Sequence, residues 1–234
     1  MNFSNRFVSE CREYSSYIQH VKAPVFRKSF VLKEGSQSGE ILICGLGFYD
    51  LFINGEKITK GYLAPYISNT DHIVYYDHYD LTPWLKAGEN VIGVMLGDGF
   101  QNSKTRVWDF MDNVFNSAPK LALSMKVESD GEKQEFDAMD FSCKKGPIFF
   151  NDLRSGVFFD KREEEKGWDQ PGFQEDENWH KPILADRPRG KAKLCEAEPI
   201  AVVEERKPVK IWKGALADYT PRGDVPEGLC GQTT

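Results

Sequence analysis

A polar and aromatic segment, residues 98–113, holds the side chains best suited to bind a small ligand. Trp108 offers a flat apolar face, and carboxylates, amides and a guanidinium surround it in the sequence. Sugar sites use this mixture, because an aromatic ring packs on the C–H face of a sugar while planar polar groups hydrogen-bond its hydroxyls. The candidate carbohydrate-binding residues are Asp98, Asn102, Arg106, Trp108, Asp109, Asp112 and Asn113. A structural alternative stays open, in which Trp108 and Phe110 close one end of the fold or pack against a neighbouring domain.

Other conspicuous residues are interpreted as structural. Asp160 and Arg162, spaced as Asp-x-Arg, would point to the same side of a strand, where a bidentate ion pair can fix a loop. Trp168 and Trp179 are interpreted as aromatics that pin an irregular, charged loop onto the core. Asn54-Gly55 lies between two strand-like runs, and such a pair is a strong signal for a type I′ hairpin turn.

The sequence shows no local signature of catalysis. A glycosidase of the usual kind needs two carboxylates about 5–10 Å apart across the scissile bond, yet the acidic residues fall mainly in turns and charge runs such as 162–166. His72 and His78 would lie roughly 20 Å apart on an extended strand. Gly45-x-Gly47 precedes a predicted strand rather than a helix, and a Gly-x-Ser-x-Gly motif is absent. We therefore expect no catalytic residue and no metal site outside the sugar-binding segment.

Composition excludes several partner classes. A chain of 234 residues can bury the core of one sandwich-type domain. Its net charge of −6 and pI near 5.4 argue against nucleic acid or an anionic membrane as a partner. Five widely spaced cysteines without Cys-x-x-Cys indicate neither a disulfide framework nor a zinc site. No apolar run approaches the roughly 20 residues that span a bilayer, and no signal-peptide pattern is visible, so a cytoplasmic location is expected.

Turn signals and short apolar runs predict an all-β fold. Asp130-Gly131 resembles Asn54-Gly55 as a turn between alternating segments. Strands are predicted at 25–32, 51–53, 56–58, 72–79, 91–96, 121–127, 135–137, 200–204 and 209–212, with a short helical turn at 81–85. Eight or more short strands at this spacing are typical of a jelly-roll or galactose-binding-like β-sandwich.

The chain divides into three predicted parts. Residues 1–20 are expected to be a loosely structured lead-in, with at most one short helix. Residues 21–213 form the sandwich. Residues 214–234 are poor in large apolar side chains and rich in Gly, Pro and Thr, so a weakly ordered tail or linker is expected there.

Three motif-bearing segments, taken in order, resemble one protein family. They are GLGFYDLFING at 45–55, the pieces YDLT, GENVIGV and LGDGF within 79–100, and FFDKREEEKGWDQPGF at 158–173. This order and spacing resemble the N-terminal non-catalytic module of bacterial α-L-rhamnosidases, over roughly residues 17–213. One departure is an extra residue between Phe173 and Trp179, in an expected surface loop.

The resemblance carries functional expectations. Rhamnosidases of this type continue with another β-domain and a helical (α/α)6 barrel that holds the acidic catalytic residues, so no residue here inherits them and the chain alone is expected to be inactive. Some modules resembling this family bind rhamnose with the help of calcium, for which Asp98, Asp109, Asp112 and Asn113 are suitable oxygen donors. No other cofactor is implied. The partners implied are a rhamnose-containing glycan and the catalytic domain that would follow this module.

Three functions therefore compete. The chain is an accessory module that binds a terminal sugar, or a purely structural interdomain module without ligand, or a self-sufficient enzyme. The expected location of the catalytic acids in another domain weighs against the third.

Overall fold

The computed structural model describes residues 1–16, 19–102, 117–153 and 156–210. Within them the chain is built almost entirely from short strands. The strands, in chain order, are β1 (Val8–Ser9), β2 (Pro24–Leu32), β3 (Gln37–Leu46), β4 (Phe48–Ile53), β5 (Glu56–Lys57), β6 (Ile73–Asp80), β7 (Gly88–Gly97), β8 (Lys120–Ser129), β9 (Glu132–Asp137), β10 (Ser142–Lys145), β11 (Ile148–Asp152), β12 (Gly156–Phe159), β13 (Ile183–Leu184) and β14 (Lys191–Leu194). Two 3₁₀ turns lie at Thr82–Trp84 and Ala138–Asp140.

The strands form two main sheets and a hairpin. The first sheet has the order β13-β1-β8-β3-β6-β14, with β9 also paired to β8, and the second has the order β10-β2-β7-β4-β5. Strands β11 and β12 pair separately. The pairs are antiparallel except β14 with β6, which run parallel because a long connection returns the chain to that edge.

The main core lies between the two sheets. Inward-facing residues alternate along the strands, as in Ile41 and Ile43 of β3, which meet Ile92 and Val94 of β7 in one apolar cluster. All four side chains are fully buried. The all-β sandwich predicted from the sequence is therefore confirmed. In the described part of the chain, no helix is long and apolar enough to cross a membrane.

The predicted turn chemistry is also confirmed. Asn54 and Gly55 have φ values of 51° and 86°, and Asp130 and Gly131 have 49° and 77°. Positive φ at both central residues is what a type I′ hairpin turn requires. Both pairs connect antiparallel neighbours, β4 to β5 and β8 to β9.

The N-terminal segment corrects one expectation. The described part of residues 1–20 is not a loose lead-in, because β1 pairs with both β8 and β13. Phe7 lies in a second apolar cluster on the outer face of the first sheet, and Phe3 stacks on Tyr76 with ring centroids 4.5 Å apart. These aromatic contacts hold the segment on the sheet. Apolar residues are irregularly spaced in this segment, so their periodicity predicted no strand there.

The predicted strand at 200–204 is wrong. Only Ile200 makes an isolated bridge, to Tyr62, and residues 201–204 are exposed and pair with no strand in the described structure. Val203 is 98% exposed. A β-branched run forms a strand only where a neighbouring backbone completes its hydrogen bonds, and none lies beside these residues among the described ones. Residues 209–210 are likewise not in a strand, while 211–212 and the tail at 214–234 lie outside the described residues.

The charged loop at 163–179 packs against the outer face of the second sheet. Trp168 and Trp179 are nearly buried there, together with Val25. Arg27, whose side chain is only 3% exposed, donates from Nε to the Trp168 carbonyl at 2.8 Å and from Nη1 to Glu175 at 2.7 Å. The loop is therefore fastened by aromatic burial and by one buried guanidinium from β2.

Candidate functional site

The candidate sugar-binding loop begins at a buried polar anchor. Asp98 and Asn102 are each 1% exposed. Asn102 donates from Nδ2 to Asp98 Oδ1 at 2.8 Å, and its Oδ1 accepts the Ser15 backbone N–H at 2.7 Å. The Asp98 N–H donates to Asn151 Oδ1 at 2.9 Å. In this arrangement Asp98 and Asn102 fix the root of the loop to the N-terminal segment and to β11, and they do not face solvent.

The rest of that loop lies outside the described residues. This applies to the candidates Arg106, Trp108, Asp109, Asp112 and Asn113, whose proposed roles stay predictions. Among the residues that the structure describes, no group of three His, Cys, Asp or Glu side chains is placed to hold a metal ion.

An aromatic cleft lies next to the root of this loop. It is lined by residues of three segments, namely Leu46, Gly47, Phe48, Pro65, Tyr66, Ile67, Ser68, Thr70, Tyr75, Phe100 and Gln101. Tyr66 is 58% exposed, yet its ring packs edge to face on Tyr75 with centroids 6.1 Å apart. Phe100 and Gln101 lead directly into residues 103–116. The cleft encloses only about 40 Å³, so it offers an exposed ring surface, held by a second ring, beside the root of the predicted sugar-binding loop, and no enclosed cavity for a sugar.

A larger pocket shares Tyr66 with this cleft. This Asp77 pocket has a volume of about 320 Å³ and is lined by Lys60, Tyr62, Leu63, Ala64, Tyr66, Asp77, His78 and residues 194–200. Ligand pockets in proteins begin at about 300 Å³, so one sugar ring fits this volume. Because Tyr66 lines both the aromatic cleft and the Asp77 pocket, the two are neighbours across one aromatic side chain.

Tyrosine hydroxyls hold the carboxylate of the Asp77 pocket. The Tyr49 hydroxyl donates to Asp77 Oδ2 at 2.5 Å and lies 2.9 Å from the Tyr79 hydroxyl. Burial raises the pKa of Asp77, while the hydrogen bond from Tyr49 and the charge of Lys60 oppose that rise. Burial also raises the pKa of Tyr49. The group is therefore a polar cluster in which ionisation of Asp77 is costly.

The raised pKa of Asp77 predicts a pH-dependent stability effect. The native state binds the Asp77 proton more readily than the unfolded chain, so this residue lowers stability at neutral pH, and the loss is relieved as pH falls through its folded pKa. Wild type should therefore become more stable relative to Asp77→Asn as pH is lowered from 7 towards 4. Urea titrations of both proteins at several pH values measure this difference in unfolding free energy. A difference independent of pH would contradict this assignment.

Sequence reasoning missed Tyr62, Tyr66 and Asp77 as site residues. Tyr66 and Asp77 lie in segments predicted as a loop and a strand, and neither spacing nor composition brings them together. One sequence feature could have indicated Tyr66. It is an aromatic residue directly after Pro65 in a loop, where a side chain is often exposed to solvent.

The Asp160 and Arg162 pair lies in a turn, not on a strand. Strand β12 ends at Phe159, and Arg162 Nε and Nη2 donate to the Asp160 carboxylate at 2.9 and 2.6 Å. The guanidinium holds the pKa of Asp160 down at about 2. Since the Arg162 side chain is 85% exposed, solvent screens this pair, and its geometry alone does not indicate a large contribution to stability.

The turn residue Asn54 belongs to a buried amide network. Asn90 is fully buried and accepts at Oδ1 from Asn54 Nδ2 at 3.0 Å. Asn54 Oδ1 in turn accepts the Val91 N–H at 2.9 Å. Two motif segments that are distant in sequence, 45–55 and 88–94, are thus joined by side-chain hydrogen bonds that fix the β4–β5 turn to β7.

Comparison with known proteins assigns the family. A family model described as the α-L-rhamnosidase N-terminal domain matches residues 36–204. An α-L-rhamnosidase of Formosa agariphila is 30% identical over 205 residues, which are 84% of this chain and 21% of that protein. The structure of an α-L-rhamnosidase from Dictyoglumus thermophilum matches with a TM-score of 0.76 and 30% identity, over 90% of this chain and 24% of its own.

A third relative was solved with a sugar. The α-L-rhamnosidase of Streptomyces avermitilis, in a complex with L-rhamnose, matches with a TM-score of 0.65 and 26% identity, over 78% of this chain and 17% of that one. The chain thus spans less than a quarter of each of these three relatives. The family match confirms the resemblance seen in the motif segments, and it covers well over half of the 234 residues. This chain therefore belongs to the α-L-rhamnosidase N-terminal domain family.

Proposed function

We propose that this module is an accessory, non-catalytic part of an α-L-rhamnosidase and that it binds a terminal sugar of a rhamnose-containing glycan in the aromatic cleft. The observation that carries the proposal is Tyr66, a ring 58% exposed to solvent and held edge to face by Tyr75. An exposed aromatic side chain that is fixed in position can pack on a sugar ring without losing much conformational freedom on binding.

The neighbouring loop would supply the polar contacts. Arg106, Trp108, Asp109, Asp112 and Asn113 follow Phe100 and Gln101, which line the cleft. Their carboxylates and amides suit sugar hydroxyls, and they also suit calcium, which takes six to eight oxygen ligands. Asp98 and Asn102 would act indirectly by fixing the root of this loop. The likeness to a relative solved with L-rhamnose supports rhamnose as the first sugar to test.

The decisive experiment is a calorimetric titration with L-rhamnose. We expect binding by the wild-type chain and at least about a tenfold loss of affinity in Tyr66→Ala, because removing the ring removes the apolar half of the contact. Phe159→Ala is the matched control, since Phe159 is an exposed aromatic residue (44%) that lines neither the cleft nor the Asp77 pocket. Titrations in CaCl₂ and in EDTA test the calcium proposal, which predicts weaker binding after chelation.

Two results would refute the proposal. If Tyr66→Ala and Phe159→Ala bind L-rhamnose as wild type does, the cleft is not the site. If wild type gives no heat up to millimolar sugar, the purely structural role of the module is favoured.

A further inference from the structure

The Asp77 pocket has walls fixed by main-chain contacts. One wall is the segment 60–66 and the other is 194–200. The Tyr62 N–H donates to the Ile200 carbonyl at 3.0 Å, which joins the two walls. Gly61, with φ of 70°, lies so close to the same carbonyl that a Cβ there would be 2.4 Å from the oxygen. The pocket is therefore formed by the fold itself.

Its polar lining favours a neutral ligand. The half-buried Asp77 and the exposed Glu196 and Glu198 are its acidic residues. The basic residues of the lining are Lys60, whose Nζ already donates to the His78 carbonyl at 2.6 Å, and His78, and one of the acids, Glu196, lies 3.7 Å from Lys193 Nζ. Because acids outnumber bases here, a carboxylate on the ligand would be repelled, whereas hydroxyl groups would find oxygen acceptors.

The apolar part of the lining contains aromatic side chains and a loop with one strained backbone position. Tyr62 is 53% exposed and Leu63 is 46% exposed. Leu63 adopts φ of 57°, which is uncommon for a residue with a Cβ and costs free energy that the surrounding contacts must offset. In this loop conformation Tyr62 and Tyr66 both line the pocket, and Tyr66 also lines the aromatic cleft.

We propose that the Asp77 pocket is a second saccharide subsite, which holds the neutral sugar residue linked to the one bound in the aromatic cleft. The two subsites share Tyr66 and together recognise two consecutive sugars of a neutral glycan. This inference rests on the proposed sugar-binding function and extends it from a single terminal sugar to a disaccharide.

The test compares three probes by calorimetry. They are methyl α-L-rhamnoside, a panel of rhamnose-terminated disaccharides with glucose or rhamnose as the second sugar in several linkages, and the disaccharide of rhamnose with galacturonic acid. We expect at least one neutral disaccharide to bind about tenfold or more tightly than the monosaccharide, and the galacturonic acid disaccharide to show no such gain. Tyr62→Ala should remove the gain and leave monosaccharide affinity unchanged.

A charge variant provides an independent measurement. Glu198 is exposed, so Glu198→Lys should fold normally, and it should raise affinity for the galacturonic acid disaccharide severalfold. Unchanged affinity would overturn the electrostatic part of the proposal. Circular dichroism of Tyr62→Ala and restoration of the gain by Tyr62→Phe separate loss of the ring from loss of the fold.

The outcomes distinguish this inference from the proposed function. Monosaccharide binding with no gain for any neutral disaccharide overturns the second subsite alone. An equal loss of both affinities in Tyr62→Ala also overturns it, because the pocket would then not be a separate subsite. Absence of binding by every probe overturns the second subsite and the sugar-binding function together.

Discussion

Replacing Gly47 by alanine is expected to lower the free energy of unfolding by about 3 kcal/mol, the upper end of the cost of overpacking. A Cβ on Gly47 would lie 2.2 Å from the Asp98 carbonyl oxygen and 2.3 Å from its carbon. These are backbone atoms, so no side-chain rotation relieves the clash. Asp98 is itself held, because its carbonyl accepts the Asn102 N–H at 3.1 Å and its N–H donates to Asn151. Urea denaturation followed by tryptophan fluorescence measures the change.

Gly97→Ala is the control for this prediction. Gly97 lies at the end of the neighbouring strand β7, opposite Phe48, where a Cβ would meet Asn151 Oδ1 at 3.6 Å and Phe48 Cβ at 3.7 Å. These are ordinary van der Waals distances, so we expect a loss of less than about 1 kcal/mol. Equal unfolding midpoints for the two variants would show that the backbone at Asp98 yields easily, contrary to the structure.

Asn90→Ala is expected to destabilise the chain by about 3 kcal/mol through loss of buried hydrogen bonds. Asn90 is fully buried, its Oδ1 accepts from the Lys86 N–H and from Asn54, and its Nδ2 donates to the carbonyls of Lys86 and Gly88. Truncation leaves these partners in place with nothing to bond, and water has little access to replace the amide. The β4–β5 turn would lose one side-chain hydrogen bond to β7 at the same time, while the bond from the Val91 N–H to Asn54 Oδ1 would remain.

Asn178→Ala is the matched comparison for Asn90→Ala. Asn178 is exposed and its side chain donates only to Asp176, two residues away, in the described structure. Solvent can replace that bond, so a change below about 1 kcal/mol is expected in the same urea titration. If the two variants lose equal stability, the Asn90 network contributes nothing beyond a surface hydrogen bond.

Local chemistry explains why so much of the fold was predictable. The strands at 25–32 and 121–127 were found because apolar residues alternate along them, and the strand at 91–96 because it is a short β-branched apolar run between glycine-containing turns. The turns at Asn54-Gly55 and Asp130-Gly131 were found because few residue pairs tolerate positive φ at both positions. The strand predicted at 200–204 was wrong because a strand needs a partner backbone, and the local sequence does not show whether one lies beside it.

The candidate site residues were also predictable only in part. The side-chain types at 98–113 suggested sugar chemistry, but the structure shows Asp98 and Asn102 buried as anchors of the loop. The exposed Tyr66 and the half-buried Asp77 come from different segments, 11 residues apart along the chain, and they line one pocket because β6 and the loop at 60–66 meet there. No spacing rule links them.

By itself, the sequence determined the all-β class, the hairpin turns and the rhamnosidase family, because strand periodicity, positive φ and motif order are properties of short segments. Only the tertiary structure decided that the N-terminal segment is part of the first sheet, that Asn54 and Asn90 form one network, and that Tyr66 lines both the aromatic cleft and the Asp77 pocket. The physical reason is that burial, hydrogen-bond pairing and pocket shape depend on which segments are neighbours in space, and that is fixed by packing of the whole chain.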